Sequence, residues 1–240
     1  ATDRCTCKRG IFMGRPLESV PMPGSTARRL LLRICCLMAM LPLAASARDT
    51  RAEYRLDPVH TRVMFAISHA AFSNAIGTVS GSTGTLVFDP DDWARARVDV
   101  RVPVARIDLG DADWNKATLA KSLLDAEGHP EARFVSTRVE PVDAMHARVV
   151  GDLSLRGVTR EVVLDVTLNA IKRHPMPPFR RTVGFSASTK ISRADFGITA
   201  WKSVIGDEVE LRIEAEATYD GKADADVATP PSPSTQEPTP

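Results

Sequence analysis

The side chains in this 240-residue chain that could do chemistry are few and scattered. No G-x-S-x-G, S-x-x-K or H-E-x-x-H pattern occurs, so neither an activated serine nor a helical zinc pair is encoded locally. His60 and His69 are nine positions apart, an odd spacing that puts them on opposite faces of a regular strand. Shared metal binding by the two would need a bulge. His129 precedes Pro130 and reads as a loop cap, while His146 and His174 fall in turns. Asp207-Glu208 beside Gly206 reads as a turn into the last strand, with an acid pair as the weaker alternative. Arg193, in Arg193-Ala194-Asp195-Phe196-Gly197, has three readings: pairing with a buried carboxylate, stacking on an aromatic, or meeting the polar head of a ligand. Trp114 and Trp201 either flank a cavity mouth or close the core.

The ends do not belong to the elements that would position these groups. Ala27-Arg28-Arg29, the apolar run from Leu30 to Leu41, and Ala45-Ser46-Ala47 form the cationic, hydrophobic and small-residue parts of a cleaved signal peptide. The apolar run is shorter than the ~20 residues that span a bilayer. Residues 1–47 are therefore expected to be an N-terminal extension and leader cut after Ala47, with starts at Met13 or Met22 giving a leader of ordinary length. All four cysteines (Cys5, Cys7, Cys35 and Cys36) precede that cut, which predicts a mature protein without thiol chemistry, disulfides or Cys-ligated metal. It also leaves 24 Lys and Arg against 28 Asp and Glu, a charge of −4 that does not fit a nucleic-acid binder. Residues 221–240 hold five prolines and almost no large apolar side chain, so they are expected to form a disordered tail.

Residues 48–220 carry the domain, and their dominant signal is period two. Val63, Phe65 and Ile67 alternate with polar or small neighbours, as do Val98, Val100, Val102 and Val104. Val162, Leu164, Val166 and Leu168 form a third row, Val183, Phe185, Ala187 and Thr189 a fourth, and Val209 to Ala217 a fifth. Slipping this last row by one residue would bury three glutamates and Arg212, so its register is firmly set. Weaker strands are expected near 77–80, 85–88, 133–141 and 148–155, separated by turns at 81–84, 89–92 and 156–159. One segment, Asn115 to Leu124, has helical spacing and is stopped by Gly128 and Pro130; His174-Pro175-Met176-Pro177-Pro178 is a loop. About eight alternating strands and one helix predict an all-β antiparallel barrel or sandwich. Barrel closure disposes of sheet edges, and few large aromatics are available to plug its centre.

Three motifs and a closing segment carry a family resemblance. Leu56-Asp57-Pro58-Val59-His60-Thr61-Arg62-Val63-Met64-Phe65 with Ile67-Ser68-His69 resembles the opening of the YceI-like family of secreted bacterial proteins. Gly151 to Arg160 is similar to that family's hairpin with a Gly-Val-Thr turn. Gly184-Phe185 and Ile191 to Ile198 resemble its closing motif, and Gly206-Asp207-Glu208-Val209 then leads into the final strand. Leu123-Leu124 stand where the family commonly has aromatics. The resemblance covers about 170 residues. It implies an extended lipocalin-like eight-stranded antiparallel β-barrel with an inserted short α-helix, holding a polyisoprenoid chain or another long-chain lipid and performing no catalysis.

Strand parity and that resemblance together nominate the site. Phe65, Ile67, Val100, Val102, Leu164, Val166, Phe185 and Leu211 are expected in the wall. Phe72, Leu119 and Leu123 are expected near the entrance, with His69 and Arg193 at the head group. The expected partner is a prenylated quinone, prenyl phosphate or similar lipid, with no cofactor or metal required. Export to the periplasm, transient contact with the membrane or a membrane protein, and homodimerisation complete the expectations, with secretion as second choice of location. Two other functions fit less of the pattern. A packed barrel would suit a periplasmic adaptor for a respiratory membrane protein, and His69 and Arg193 converging inside would suit a lipid- or quinone-modifying enzyme.

Overall fold

Eleven antiparallel strands join into one sheet in this computed structural model, which describes residues 52–221. The expected leader and Pro-rich tail lie outside the described residues. In chain order the strands are β1 (Ala52–Leu56), β2 (Arg62–His69), β3 (Ser73–Ser80), β4 (Thr83–Phe88), β5 (Arg97–Pro103) and β6 (Ile107–Asp108). After helix α1 (Ala112–Leu119) come β7 (Glu131–Pro141), β8 (His146–Leu155), β9 (Val158–Arg173), β10 (Arg181–Ser192) and β11 (Ile205–Tyr219).

The eleven segments make eight staves. β1 and β2 pair in succession along β11, Leu56 opposite Ala217 and Val63 opposite Ile213, so they are one stave with a break. β4 and β3 run beside them as a second broken stave, and β5 with β6 makes a third. β7 to β11 are continuous, and β11 returns to β1 and β2, which closes the ring. Closure leaves no long unpaired edge and decides between the barrel and the sandwich in favour of the barrel.

The three breaks lie side by side because each has a local cause. Asp57 precedes Pro58, and its carboxylate accepts from the Val59 and His60 amides at 2.8 and 3.2 Å, which turns the chain out of the strand. His60 consequently sits in this turn rather than on β2, and its ring Nδ1 lies 2.8 Å from Asp57 Oδ2. The second break, at Gly81-Ser82, bonds to the first through the Gly81 N–H and the Pro58 carbonyl at 3.2 Å. The Arg106 side chain, from the third break, packs over Gly81.

The inward rows follow the expected parity, and bulges adjust it. One at Asn169, between the Phe185–Leu168 and Gly184–Ala170 pairs, lets β9 keep both Leu168 and Ile171 on the core side. A larger irregularity between Ile205 and Val209 places Asp207 and Glu208 inside β11, so they do not form the expected turn. Asp207 is instead a clamp: its carboxylate accepts from the Ser192 hydroxyl at 2.6 Å and the Ala194 amide at 3.0 Å. The helix also differs from expectation. It starts earlier, because the Asp111 carboxylate caps the Asp113 and Trp114 amides, and it ends at Leu119. Residues 121–124 and 126–128 are turns, so Leu123 and Leu124 reach the core from a folded-back loop.

Side-chain caps of this kind make stability depend on pH. Asp57 lies below the usual aspartate value: burial pushes it up, but the His60 ring and the Val59 and His60 amides outweigh that. The Arg133 guanidinium lowers Asp99, and the Ser192 hydroxyl, followed by the Ala194 amide, lowers Asp207. A lowered carboxylate contributes stability above its unfolded value and loses it as pH falls through the folded one. The thermal midpoint should therefore hold steady from pH 7 to about 5 and drop below about pH 4. Asp207→Asn should flatten part of that acid limb in a calorimetric pH series.

Candidate functional site

Closing eight staves with short inward side chains leaves a hole. The lumen is a cavity of about 820 Å³ with an almost wholly apolar wall. Of the residues expected in the wall, Phe65, Ile67, Val100, Val102, Leu164, Val166, Phe185 and Leu211 all line it. They share the surface with Val63, Val98, Ala187, Ile213 and Ala215, which continue the same rows. Strand parity was sufficient to find this face because a stave's inward residues all meet the same space.

Two glycines keep the lumen open in a way that parity does not reveal. Gly77 pairs with Phe65 across β2 and β3, and a Cβ there would lie 2.3 Å from Phe65 Cζ. Gly151 plays the same part for Phe134, whose Cζ would be 2.5 Å from an added Cβ. Each ring lies flat over a missing side chain, against the wall instead of across the bore. The sequence signal, a glycine opposite an inward aromatic for Gly77 and diagonal to one for Gly151, becomes visible only once the register is known.

One end is sealed. Phe88, Trp93 and Phe185 pack edge to face, with ring centroids 5.0, 5.3 and 6.2 Å apart. Trp93 sits in the short turn Trp93–Arg95 between β4 and β5 and is buried. Phe185 is thus as much floor as wall. The sequence reading overlooked Trp93 because it lies in an Asp-rich turn, outside any alternating row.

The other end is partly covered by α1, the loop after it and residues 194–204. Trp114, Ala117 and Thr118 line the lumen from one face of α1, and Leu123 and Leu124 follow from the next loop. Leu119 does not line it, contrary to expectation. The facing positions run i, i+3, i+4 from Trp114, and Leu119 is rotated away from that face. Phe72 does not line it either; it stands at the tip of the β2–β3 hairpin, 93% exposed. His69 does reach the mouth, its ring tilted over Trp114 at 5.3 Å, and Trp201 reaches it from the far side.

Arg193 borders the lumen, but its donors are engaged elsewhere. It is buried, and its guanidinium donates to four carbonyls: Gly206 from Nε at 2.7 Å, Ile198 and Ala200 from Nη1 at 2.8 Å each, and Ile205 from Nη2 at 2.9 Å. None of its three expected readings describes this. The planar fork gathers the 198–206 loop to the end of β10, so the mouth keeps its shape through this one side chain. His69 and Arg193 both belong to the lumen's upper end, yet Arg193 has at most one N–H left for a guest.

Polar atoms sealed in the wall do not face the guest space. Ser82 Oγ and Trp93 Nε1 have no hydrogen-bond partner and expose less than 1 Å², although other atoms of both residues line a lumen wide enough for water. No group of three or more His, Cys, Asp or Glu that could hold a metal occurs among the described residues.

Comparison with known proteins agrees with this architecture. The family model for the YceI-like domain matches residues 54–217. A UPF0312 protein of Serratia proteamaculans is 35% identical over 180 residues, covering 74% of this chain and 91% of its own. One from Photorhabdus laumondii is 33% identical over 178 residues, covering 74% and 91%. Among solved structures, Burkholderia cenocepacia BcnA superposes with a TM-score of 0.62 at 24% identity, over 68% of this chain and 99% of its own. A polyisoprenoid binding domain from Saccharophagus degradans, implicated in plant cell wall breakdown, gives 0.51 at 16% identity, over 69% and 98%.

Two substitutions test this geometry. Arg193→Ala strips four buried or half-buried carbonyls of their donors and should cost about 3–5 kcal/mol in urea unfolding, whether or not lipid is present. A side chain serving only a guest's head group would instead lower affinity and leave lipid-free stability unchanged. Gly77→Ala should tilt the Phe65 ring into the bore; a smaller lumen in the variant's crystal structure is the expected result.

Proposed function

The chain belongs to the YceI-like family, and from that premise we propose that it is an exported, non-enzymatic protein that holds a long-chain lipid inside its barrel. The class we assign is a polyisoprenoid, a prenylated quinone or prenyl phosphate, carried or stored in the periplasm. The observation that carries the reading is the lumen itself: about 820 Å³, closed at the Trp93 floor and bounded by aliphatic rows. This is within the ~300–1,000 Å³ range of small-molecule pockets, but almost without the convergent polar groups such pockets use for orientation. A wall of that composition recognises hydrocarbon.

The energetics suit a branched chain. Burial is worth about 0.8 kcal/mol per methylene, so a few isoprene units outweigh the cost of ordering them without any directional bond. Methyl branches match the corrugation of Val, Leu and Ile side chains better than a smooth cylinder would. The printed description of the Saccharophagus neighbour as a polyisoprenoid binding domain supports the same class. A head group left at the mouth would meet polar atoms at the rim, His69 among them.

The alternatives lose their motivating features. An adaptor needs no hollow core, and this barrel has one. A lipid-modifying enzyme would need His69 and Arg193 free to act together, and Arg193 is committed to four carbonyls. Turnover is therefore not part of the proposal.

Mass spectrometry of the organic extract from the protein purified without detergent should recover a long-chain lipid in near-stoichiometric amount. Recovery of none, together with no uptake of added prenyl quinone, would sink the reading. Ala215→Phe places a ring in the lumen where a methyl group now stands, and should leave the fold intact while cutting uptake of long chains at least tenfold, or about 1.4 kcal/mol.

A further inference from the structure

The mouth of the lumen is fringed by large apolar side chains that the fold does not cover. Phe72 is 93% exposed at the β2–β3 tip, Trp201 65% exposed in the 199–204 loop, and Trp114 44% exposed on α1. Ordinary burial does not explain them, and their backbone is held at a cost. Ala70 and Ala71, which raise Phe72 above the rim, have φ of 49° and 58°, and Trp201 itself has φ 56°. The left-handed region costs a non-glycine residue about 1 kcal/mol or more, and such strain persists where surrounding bonds enforce it. Here the bonds are visible: Ala70 N–H donates to the Val204 carbonyl at 2.6 Å, tying the two loops together, and the Trp201 carbonyl accepts from the Val204 and Ile205 amides at 2.9 and 2.8 Å.

We propose that this rim is a membrane-docking surface: Phe72, Trp201 and Trp114 seat in the interfacial layer of a bilayer and bring the open end of the lumen against the lipid. The inference rests on the lipid-holding reading and adds where and how the guest enters. Three features select a bilayer over a second copy of the chain. The patch is continuous with the lumen's mouth, since Trp114 and Trp201 line both, and a guest nearly insoluble in water passes directly only if that mouth meets its reservoir. Trp114 and Trp201 are of the amphipathic aromatic type that collects at membrane–water interfaces, and Phe72 adds a wholly apolar ring to insert beneath them. They also project from separate elements as points on a ring, and do not form the flat, extended face that isologous pairing uses. Charge does not drive the contact. Lys116, Lys121, Arg156 and Lys202 at this end face Asp111, Asp113, Asp125, Glu127, Asp195 and Asp207, so no basic patch is present and binding should depend on aromatic insertion and only weakly on salt.

Co-sedimentation of the full chain with phosphatidylcholine vesicles reads the docking directly. Phe72→Ser and Trp201→Ser should each lower the bound fraction constant about tenfold, consistent with loss of one buried aromatic, and about 0.5 M NaCl should change little. Phe179→Ser alters an exposed aromatic in the β9–β10 loop at the floor end and should bind vesicles like the parent. Phe72 does not line the lumen, so Phe72→Ser should still take up a prenyl quinone offered in octyl glucoside micelles while receiving it more slowly from vesicles. The proposal is overturned if the rim variants sediment like the parent, if salt alone releases the protein, or if the variants dissolve a dimer and leave vesicle binding untouched. If the parent takes no quinone from micelles, the lipid-holding reading fails by itself, and the sedimentation result still decides the docking.

Discussion

The geometry of ring closure governs this protein. Once eight hydrogen-bonded staves join end to end, the circumference is fixed and every second side chain points at a common axis. The space around that axis must then be filled by those side chains or left empty. Here the inward positions are mostly Val, Leu, Ile and Ala, too short to meet across the bore; Phe65 and Phe134 lie flat over Gly77 and Gly151, and Phe88, Trp93 and Phe185 are packed together at the floor. The hole follows from the backbone ring and the lengths of its inward side chains, with no special pocket-building element. Its apolar surface is a standing cost in water, which a hydrocarbon guest removes.

Because the same rows hold the barrel together and line it, most of the lumen wall was legible in the sequence. Alternation placed Phe65, Ile67, Val100, Val102, Leu164, Val166, Phe185 and Leu211 on the lumen wall together, since one parity decides them all. What escaped was set by contacts between residues distant in the chain. The eight-stranded ring was anticipated, but its division into eleven segments was not, because breaks at 57–61, 81–82 and 104–106 look like ordinary turns until both halves of each stave are seen pairing with one neighbour. Leu119 failed for a different reason: helical phase depends on where the helix starts, and the Asp111 cap moves that start ahead of the apolar spacing. Phe72 was placed at the correct end, but its orientation is set by the left-handed backbone of Ala70 and Ala71, which residue type does not announce.

Arg193 shows how far a motif's chemistry can be from its first appearance. A buried arginine with no acidic partner suggests a waiting anion, since an uncompensated charge is expensive. Four carbonyl dipoles answer that need instead, and in doing so they fasten the loop that carries Trp201 and Ile198. The charge is spent on shape. The Asp207 clamp on Ser192 and Ala194 works on the adjoining turn, so the mouth is held by polar bonds while the bore below is held by apolar packing.

This division of labour bears on what the protein can distinguish. Along the bore the wall offers hydrocarbon only, and the unpaired Ser82 and Trp93 atoms are sealed away from it. Discrimination there can depend only on length, width and branching, and adjacent homologues differ by roughly the worth of one or two methylenes. Any sharper choice requires groups left unpaired by the wrong partner, and those lie at the rim: His69 against Trp114, Thr118, and the residual Arg193 donor. On the lipid-holding reading, a barrel built this way would accept a range of tails and judge heads only where they emerge. Selection and entry would then fall at the same end of the molecule, the end its fold leaves aromatic and exposed.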